Sequence, residues 1–423
     1  MSGALQAVFQ NQRSFLSGYW IATLGRSAKN NQGFSVAIGS AGDIFVCGYM
    51  VESGVAMDIL IAKYNNKGEL LWQRYLGNAG SSADESGWGI ALDSSDNAYV
   101  VGYSQASGYY DIQLAKYNTS GTIQWQRNLS SGANNYGRAI AVDSSANVYI
   151  TGENSSGQLQ LAKYNTSGTI QWQRRLSVSF GYGIATDSSD NVYVTGYHGG
   201  GGNIFTAKYD TSGTIQWQRS FDSGSSDVGY DVATDSSANV YVTGYANGGG
   251  GQIQVIKYDS SGTLQWQRKL TGANNYGRGI AVDSSSNVYV TGYSDINGND
   301  DFAIIKYNSS GTIQWQRYLG GSALDHGRAI AVDGSGNFYV NGYATIGGYT
   351  NFMLAKLPTD GSMTGTYSVN GYDVTYATYT LTNATSTESD SAGAQVDAAT
   401  TLTAGTTTLT EGAGPLTSTV KQI

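Results

Sequence analysis

Seven positions in this sequence carry side chains that stack on rings or pair with anions. Each follows a glycine at the start of a short apolar segment, and each is aromatic or arginine: Phe34, Trp88, Arg138, Tyr182, Tyr230, Arg278 and Arg328. Around a common axis they would form a ring able to hold sugars or anions, because aromatic faces stack and guanidinium groups bind oxyanions. Strand alternation, however, places Arg138 on the same face as Ile140 and Val142, which favours packing between neighbouring segments.

Four further aromatic residues lie in or next to the segments that differ most between repeats. Together with Trp88 they are candidate contacts for a surface glycan: Tyr109, Tyr110, Tyr136 and Tyr276. Variation confined to one set of loops is typical of a binding surface on a rigid scaffold, although drift in unconstrained loops gives the same pattern.

Residues for enzyme chemistry are scarce. His198 and His326 are the only histidines, and no Cys/His metal spacing or G-x-S-x-G motif occurs. Asp300 and Asp301 leave glycan cleavage open, since that reaction needs two carboxyl groups about 5 to 10 Å apart. We therefore predict a non-enzymatic protein with no cofactor and no metal site.

Asp187-Ser-Ser-Asp190-Asn191 resembles a calcium loop in composition only. It lacks the ligand spacing and the bidentate Glu of such a loop, so we interpret it as a turn.

The positions of these residues depend on a repeated phrase. AKYNTSGTIQWQR at 115–127 returns nearly unchanged at 162–174 and 207–219. Its tryptophan recurs at seven places, 45 to 53 residues apart: Trp20, Trp72, Trp125, Trp172, Trp217, Trp266 and Trp315. Such a period fits one four-stranded blade of a β-propeller.

Each period contains four short apolar segments of strand length, bounded by turn residues. The eighth copy ends with Gly365 where a tryptophan is expected, while Trp20 stands alone before the first full copy. We predict an all-β, seven-bladed propeller that is closed by an N-terminal strand and followed by a Thr-rich C-terminal β tail. The expected division is an attachment segment at 1–17, the propeller at 18–365 and the tail at 366–423.

The phrase GIAVDSSSNVYVTGY at 279–293 resembles the SBBP class of bacterial β-propeller repeats. This resemblance extends over residues 20–365 and implies the propeller fold. It implies little about activity, because propellers host unrelated functions.

The segment GALQAVFQNQRSF at 3–15 is similar to an N-terminal peptide of marine bacteriophage tail and virion proteins. That resemblance implies a virion location and attachment through Leu5, Val8, Phe9 and Arg13. The alternative is that the segment is a leader strand of the first blade.

Charge and composition limit the partners. A formal net charge of −8 argues against nucleic acid, and no apolar run reaches the length of a membrane span. The single cysteine, Cys47, is expected to be a small buried core residue. In the tail, the Asn370-Gly371 pair predicts one hairpin and Ala404-Gly405 a second. We expect the tail to lie against the propeller or against a partner subunit.

These patterns favour a bacteriophage virion protein, of the tail or a capsid appendage, whose propeller is a non-catalytic binding module. The predicted partners are other virion proteins and a host surface glycan, and a homo-oligomer remains open. The alternatives are a secreted or surface bacterial adhesin and, less favoured, a glycan-degrading enzyme.

Overall fold

A computed structural model of the chain describes residues 18–25, 29–51, 56–77, 84–105, 108–176, 179–198, 202–247, 250–272, 274–296, 298–369, 372–379, 381–385, 389–392, 397–399, 403–405, 410–412 and 417–422. Among these residues every regular element is a β-strand, and the strands form seven sheets.

The first strand is β1 (Trp20–Gly25), and blades 1 to 6 follow in chain order. Blade 1 contains β2 (Gln32–Ile38), β3 (Ile44–Val51), β4 (Met57–Tyr64) and β5 (Leu70–Gly77). Blade 2 contains β6 (Ser86–Leu92), β7 (Ala98–Gln105), β8 (Tyr110–Tyr117) and β9 (Ile123–Ser130). Blade 3 contains β10 (Asn135–Val142), β11 (Val148–Asn154), β12 (Leu159–Tyr164) and β13 (Ile170–Leu176). Blade 4 contains β14 (Ser179–Thr186), β15 (Val192–His198), β16 (Asn203–Tyr209) and β17 (Ile215–Asp222). Blade 5 contains β18 (Asp227–Thr234), β19 (Val240–Ala246), β20 (Gln252–Tyr258) and β21 (Leu264–Thr271). Blade 6 contains β22 (Asn275–Val282), β23 (Val288–Ile296), β24 (Asn299–Tyr307) and β25 (Ile313–Gly320).

Blade 7 is made from the two ends of the propeller. It contains β26 (Asp325–Val332), β27 (Asn337–Ile346), β28 (Tyr349–Pro358) and, as its outer strand, β1. Trp20 pairs with Lys356 in the register that Trp72 and Lys63 adopt in blade 1. The predicted seven-bladed propeller closed by an N-terminal strand is confirmed.

Each blade is an antiparallel meander, so the turn after the first strand and the turn after the third lie on one face of the disc. We call this face, which carries the repeated Asp-Ser-Ser-x-Asn and Asn-Thr-Ser-Gly turns, the constant face. The opposite face carries the connections that differ between blades, and we call it the variable face.

The hydrophobic core lies between blades and not within them. In the first junction, Phe45, Ile59 and Leu76 of blade 1 pack with Val100 and Tyr117 of blade 2. Cys47 is buried in this same cluster, and burial raises the pKa of its thiol, so its predicted core position is confirmed. Because each blade buries its faces against two neighbours, no blade has a complete core of its own.

The repeated tryptophan joins neighbouring blades. The Trp72 indole N–H donates to the Thr119 carbonyl of the next blade at 3.1 Å. Gly121 of that turn has φ +77° and lies under the Trp72 ring, where a Cβ atom would crowd the indole. The same donation, at 3.1 to 3.2 Å, occurs at all seven junctions from Trp20, Trp72, Trp125, Trp172, Trp217, Trp266 and Trp315.

The Asp-Ser-Ser-x-Asn turn is held by its own aspartate. Asp187 accepts hydrogen bonds from the backbone of Ser189, the backbone and side chain of Asn191 and the Tyr193 hydroxyl. Burial opposes ionisation of Asp187, but these hydrogen bonds outweigh it and hold the pKa below its usual value. Turn chemistry therefore accounts for this motif.

The Thr-rich tail begins with a hairpin of β29 (Gly365–Val369) and β30 (Tyr372–Thr378), in which Val369 pairs with Tyr372. This confirms the first hairpin; its turn residues, Asn370 and Gly371, lie outside the described residues. β30 also pairs with the outer strand of blade 6.

The rest of the tail adds one short strand to the outer edge of each remaining blade. In order they join blades 5, 4, 3, 2, 1 and 7, as β31 (Thr382–Thr385), β32 (Ser389–Ala392), β33 (Asp397–Ala399), β34 (Thr403–Gly405), β35 (Thr410–Gly412) and β36 (Thr417–Gln422). The predicted second hairpin is wrong, because Ala404 and Gly405 lie within β34, which pairs with β9. The tail segment pairs with the blade because the outer strand of a blade offers a longer row of unpaired backbone groups than another three-residue tail segment would.

Closure by β1 predicts a specific weakness. Trp20 is fully buried, so Trp20→Ala should lower the free energy of unfolding by about 3 to 5 kcal/mol. Blade 7 should open first, and amide exchange should quicken at Lys356 and its neighbours.

Trp172→Ala is the matched control, since it removes the same side chain from a blade whose strands are consecutive. Exchange at Lys356 that is as slow in Trp20→Ala as in the wild type would contradict closure by this strand.

Candidate functional site

A β-bulge in every inner strand positions the seven Arg or aromatic side chains. The pairing register shifts between Gly33 and Ser35 in blade 1 and at the equivalent place in the other six blades. In each case the extra residue is the one that the sequence analysis singled out. A bulge re-aims a side chain, so strand alternation alone does not determine the direction of Arg138, and Arg138 and Ile140 both line the axial cavity.

The bulge also explains the glycine that recurs in the second strand of every blade. A Cβ atom at Gly102 would overlap the carbonyl oxygen of Ser86 on the bulged strand. Only glycine permits so close an approach of the two backbones.

The seven bulge residues line one cavity, and each except Arg278 has a ring contact with the next one around the axis. We call them the channel ring: Phe34, Trp88, Arg138, Tyr182, Tyr230, Arg278 and Arg328. Phe34 and Trp88 stack with centroids 4.4 Å apart and planes 9° apart. The Arg138 guanidinium lies 4.4 Å from the centre of the Trp88 ring.

The remaining contacts of the ring are of the same kinds. Tyr182 and Tyr230 have centroids 5.6 Å apart, and the Arg278 guanidinium lies 3.8 Å from the centre of Tyr230. The Arg328 guanidinium of blade 7 lies 5.8 Å from the centre of the Phe34 ring of blade 1, so the last blade contacts the first. Only the step from Arg278 to Arg328 sets two like charges side by side. Burial, followed by the charge of Arg278, lowers the pKa of Arg328.

All seven side chains of the ring line one cavity of about 400 Å³. They are half-buried and lie outside the interblade cores, so their contacts between blades are made around the channel. The volume falls within the range of about 300 to 1,000 Å³ that is typical of small-molecule sites. Because inner strands begin at the variable face, the ring lies at that end of the channel.

A second layer of mostly aromatic residues surrounds the ring nearer the variable face. We call it the collar; its second-strand members are Tyr49, Tyr103, Glu153, Tyr197, Tyr245, Tyr293 and Tyr343. Each pairs with the residue two positions before the bulge, as Tyr293 does with Tyr276. Tyr245, Tyr276, Tyr293 and His326 stack in one column with neighbouring centroids 4.4, 4.7 and 3.8 Å apart.

The three arginines of the ring differ in their partners. Arg138 Nε donates to Glu153 Oε1 at 2.9 Å, and Arg138 NH2 donates to the same oxygen. Burial opposes the charge of Arg138, but this carboxylate outweighs burial and raises the pKa of Arg138. In the part of the chain that the structure describes, neither Arg278 nor Arg328 forms an ion pair, and their buried Nε atoms have no hydrogen-bond partner.

One carboxyl group lines the cavity. Asp231 accepts hydrogen bonds from the backbone N–H of Val232 at 2.9 Å and of Ile280 at 3.0 Å. Burial raises the pKa of Asp231 to about 7, against the opposing effect of these two bonds. In the equivalent position other blades have a small residue, such as Ala139.

His326 is fixed between Asp300 and Tyr343. Its Nε2 lies 3.0 Å from Asp300 Oδ2 and its Nδ1 lies 2.6 Å from the Tyr343 hydroxyl. Burial, followed by the charges of Arg328 and Arg278, lowers the pKa of His326 to about 3. The neutral tautomer with its proton on Nε2 satisfies both bonds.

Asp300 and Asp301 do not form an acid pair toward one substrate. They are consecutive on β24, so their side chains point to opposite faces of the strand. Asp301 accepts a hydrogen bond from Asn299 at 3.0 Å, while Asp300 is the partner of His326. No cluster of three or more His, Cys, Asp or Glu residues suited to a metal ion occurs in the described ranges.

The other predicted contact residues lie at the collar. Tyr110 and Tyr136 pack edge-on against Tyr103, with centroids 5.2 and 5.1 Å away, and Tyr109 beside them is 50% exposed. Tyr276 belongs to the stacked column. The predicted attachment residues Leu5, Val8, Phe9 and Arg13 lie outside the described residues.

Sequence reasoning missed the second-strand residues of the collar. The available signal was the residue after the recurring glycine of the second strand, which is tyrosine in six blades and Glu153 in the third. That single exception coincides with the one ring arginine that is neutralised.

The fold and this lined channel define a seven-bladed β-propeller with a candidate ligand site at one end of its axis. The SBBP β-propeller repeat matches residues 71–110, 174–198, 222–251 and 265–299, and a second family, the DUF5122 β-propeller domain of unknown function, matches 286–313. The chain is thus a β-propeller of the SBBP repeat type.

Solved structures with similar folds come from several organisms. Sqt1 from Chaetomium thermophilum has 10% identity and a TM-score of 0.48, with 84% of this chain and 97% of that chain covered. A protein of unknown function from Bacteroides caccae has 13% identity and a TM-score of 0.44, with 62% and 90% covered. A catalytically inactive virginiamycin B lyase from Staphylococcus aureus with quinupristin has 12% identity and a TM-score of 0.40, with 70% and 98% covered. None of the curated proteins matches the chain.

Raised carboxyl pKa values predict how stability depends on pH. Besides Asp231, burial raises the pKa of Asp325 to about 6 and, together with neighbouring carboxylates, that of Asp301 to about 8. These groups bind protons more tightly in the folded state than in the unfolded one. The stability they contribute is therefore present at acidic pH and lost as pH rises through 6 to 8. Aspartates with lowered pKa values, such as Asp93, act oppositely and lose stability on acidification below about pH 4.

Asp231→Asn tests the contribution of the channel carboxyl. Asparagine does not titrate, and its amide nitrogen cannot accept the hydrogen bond that the second carboxyl oxygen of Asp231 accepts, so the variant tests pH dependence and not absolute stability. The wild type should lose stability between pH 5 and pH 8, and the variant should lose less. Urea unfolding of both proteins at the two pH values measures this, and parallel pH dependence would show that Asp231 titrates normally.

Proposed function

We propose that this protein is a non-catalytic glycan-binding propeller, carried on a bacteriophage particle, that holds a host surface glycan at the variable-face end of its channel. The observation that carries the proposal is the channel ring, a nearly closed series of aromatic and guanidinium planes around one cavity.

The chemistry of the ring suits a sugar. Flat aromatic faces such as Trp88 and Tyr182 offer apolar surface to the C–H face of a pyranose. Guanidinium groups and tyrosine hydroxyls at the edge supply hydrogen bonds to its hydroxyl groups. The exposed Tyr109 would extend this surface toward the variable face.

The cavity offers little for bond cleavage. Glycosidases use two carboxyl groups about 5 to 10 Å apart, whereas the one carboxyl group that lines this cavity, Asp231, is held by two backbone N–H groups. Glu153 is committed to Arg138. This arrangement favours binding over hydrolysis.

The virion location depends on the segment at 3–15, through its resemblance to phage virion peptides. Leu5, Val8 and Phe9 supply apolar contacts by which a short peptide can dock on a partner. The propeller completes its seven outer strands without this segment. If it instead acted as a cell-surface adhesin, the same channel would bind glycans from a different location.

Aromatic contacts at the channel predict a binding defect with intact folding. Trp88→Ala, Tyr110→Ala and Tyr276→Ala should each weaken glycan binding about tenfold, a loss equivalent to about 1.4 kcal/mol. An array of bacterial surface glycans, followed by calorimetry on the best ligand, measures the change. Thermal unfolding confirms that each variant folds.

Ser120→Ala and Ser167→Ala on the constant face are the controls, because these exposed hydroxyls bond only within their own turns. Glycan binding that persists when Tyr109, Tyr110, Trp88 and Tyr276 are all replaced would indicate a purely structural role for these aromatic residues and contradict a glycan site at the channel.

Deletion of residues 1–12 tests the virion location separately. The truncated chain should fold and bind glycans as before but be missing from particles, which purification and mass spectrometry of virions would show. Normal incorporation would place the anchor elsewhere, with the tail after 366 as the next candidate. An unfolded product would make the segment part of the first blade.

A further inference from the structure

We infer that the glycan held in the channel is acidic, and that Arg278 and Arg328 bind its carboxylate at the junction of blades 6 and 7. This inference rests on the proposed glycan-binding function and specifies the chemical class of its ligand.

The first observation is the charge left unbalanced in the ring. Three arginines enter the channel, and Glu153 neutralises only Arg138. Arg278 and Arg328 occupy consecutive blades with no ion pair to either, within the described part of the chain. Two unpaired guanidinium groups side by side repel each other, and a bound anion between them would relieve that repulsion.

The second observation is a set of vacant donors. The Nε atoms of Arg278 and Arg328 are buried and lack acceptors, whereas the Nε of Arg138 donates to Glu153. A buried donor without a partner costs free energy, and a charged acceptor satisfies it best. The Nε–H on this edge of the guanidinium is thus used at Arg138 and lacks a partner at the other two.

The third observation is that the protein contains its own example of the contact. Glu153 occupies the collar position that Tyr293 occupies beside Arg278 and Tyr343 beside Arg328. At Arg138 a carboxylate of the chain reaches both Nε and NH2. At Arg278 and Arg328 a carboxylate of the ligand can make the equivalent contact.

Neighbouring groups hold the two arginines in place. The Arg278 guanidinium lies over Tyr230, and its NH2 donates to the Tyr293 hydroxyl at 3.3 Å. Arg328 lies between Phe34 and Tyr343, at 5.8 and 5.6 Å from their ring centres. Aromatic rings on these faces leave the donor edges for a planar oxyanion and offer the adjoining sugar ring a stacking surface.

A matched pair of ligands tests this inference. Tetragalacturonate and its methyl ester have the same sugar chain and differ in the carboxylate charge. Calorimetry should show the acid bound at least tenfold more tightly than the ester, with the difference reduced at high salt. Arg278→Gln and Arg328→Gln should each remove most of this difference, because each should weaken binding of the acid more than binding of the ester.

Two further variants separate charge from folding. Tyr293→Glu places a carboxylate beside Arg278 as Glu153 lies beside Arg138, and it should abolish the preference for the acid by internal competition. The double variant Arg138→Gln with Glu153→Gln removes a neutral pair and should keep the preference. Thermal unfolding of each variant verifies the fold.

The outcomes distinguish the two claims. Equal binding of acid and ester would overturn the inference and leave glycan binding intact, while binding of neither, with no hit on the glycan array, would overturn the proposed function. A preference that survives Arg278→Gln and Arg328→Gln would move the anion site elsewhere. Inorganic sulfate bound as tightly as the acid would show a site for bare anions, which contradicts a sugar ligand.

Discussion

One hydrogen bond, repeated at every junction, determines how the blades assemble. The indole N–H of the outer-strand tryptophan reaches a turn carbonyl of the next blade, and a glycine in that turn leaves room for the ring. In six blades the arginine two residues later adds a second bond to the same turn, as Arg74 does to Gly121. Each junction also contains a separate apolar cluster. The angle between two blades therefore depends both on the hydrogen bonds of the outer strand and on the apolar packing between the blades. The near-identity of the repeated phrase follows from this, because every blade must present the same donor to the same acceptor.

Fixing the junctions at the constant face leaves the other end of the axis free to vary. The bulge turns one side chain per blade toward the channel, and that side chain does not belong to the interblade core. Blades that are nearly identical in their turns therefore differ in the ring, from Phe34 to Arg328. The collar follows the same rule, as the substitution of Glu153 for a tyrosine shows. Chemical variety is thus concentrated where structural demands are weakest.

The sequence predicted blade number and closure because both follow from counting identical phrases, and Trp20 supplies the one that blade 7 lacks. It could not assign the direction of Arg138, since alternation fails at a bulge and a bulge leaves no separate pattern in one repeat. The collar tyrosines looked like ordinary strand residues, and only the pairing register brings Tyr293 beside Tyr276. The second tail hairpin was wrong for a related reason: local turn preference at Ala404-Gly405 competes with the unpaired edges of the blades, which no local pattern reveals.

The path of the tail has a consequence for the order in which the molecule can form. The ribosome makes β1 before any blade, yet its neighbours in blade 7 are β28 and β36, and β36 is the last strand of the chain that the structure describes. During synthesis β1 cannot pair with β28 until six blades have been made. Until then the propeller is open, and it exposes the face of blade 1 that later packs on blade 7 and the unpaired edge of β28. Ring closure joins β1 to strands at the far end of the propeller and of the tail, so it should be the slow step of folding and the stage most exposed to pairing with another chain.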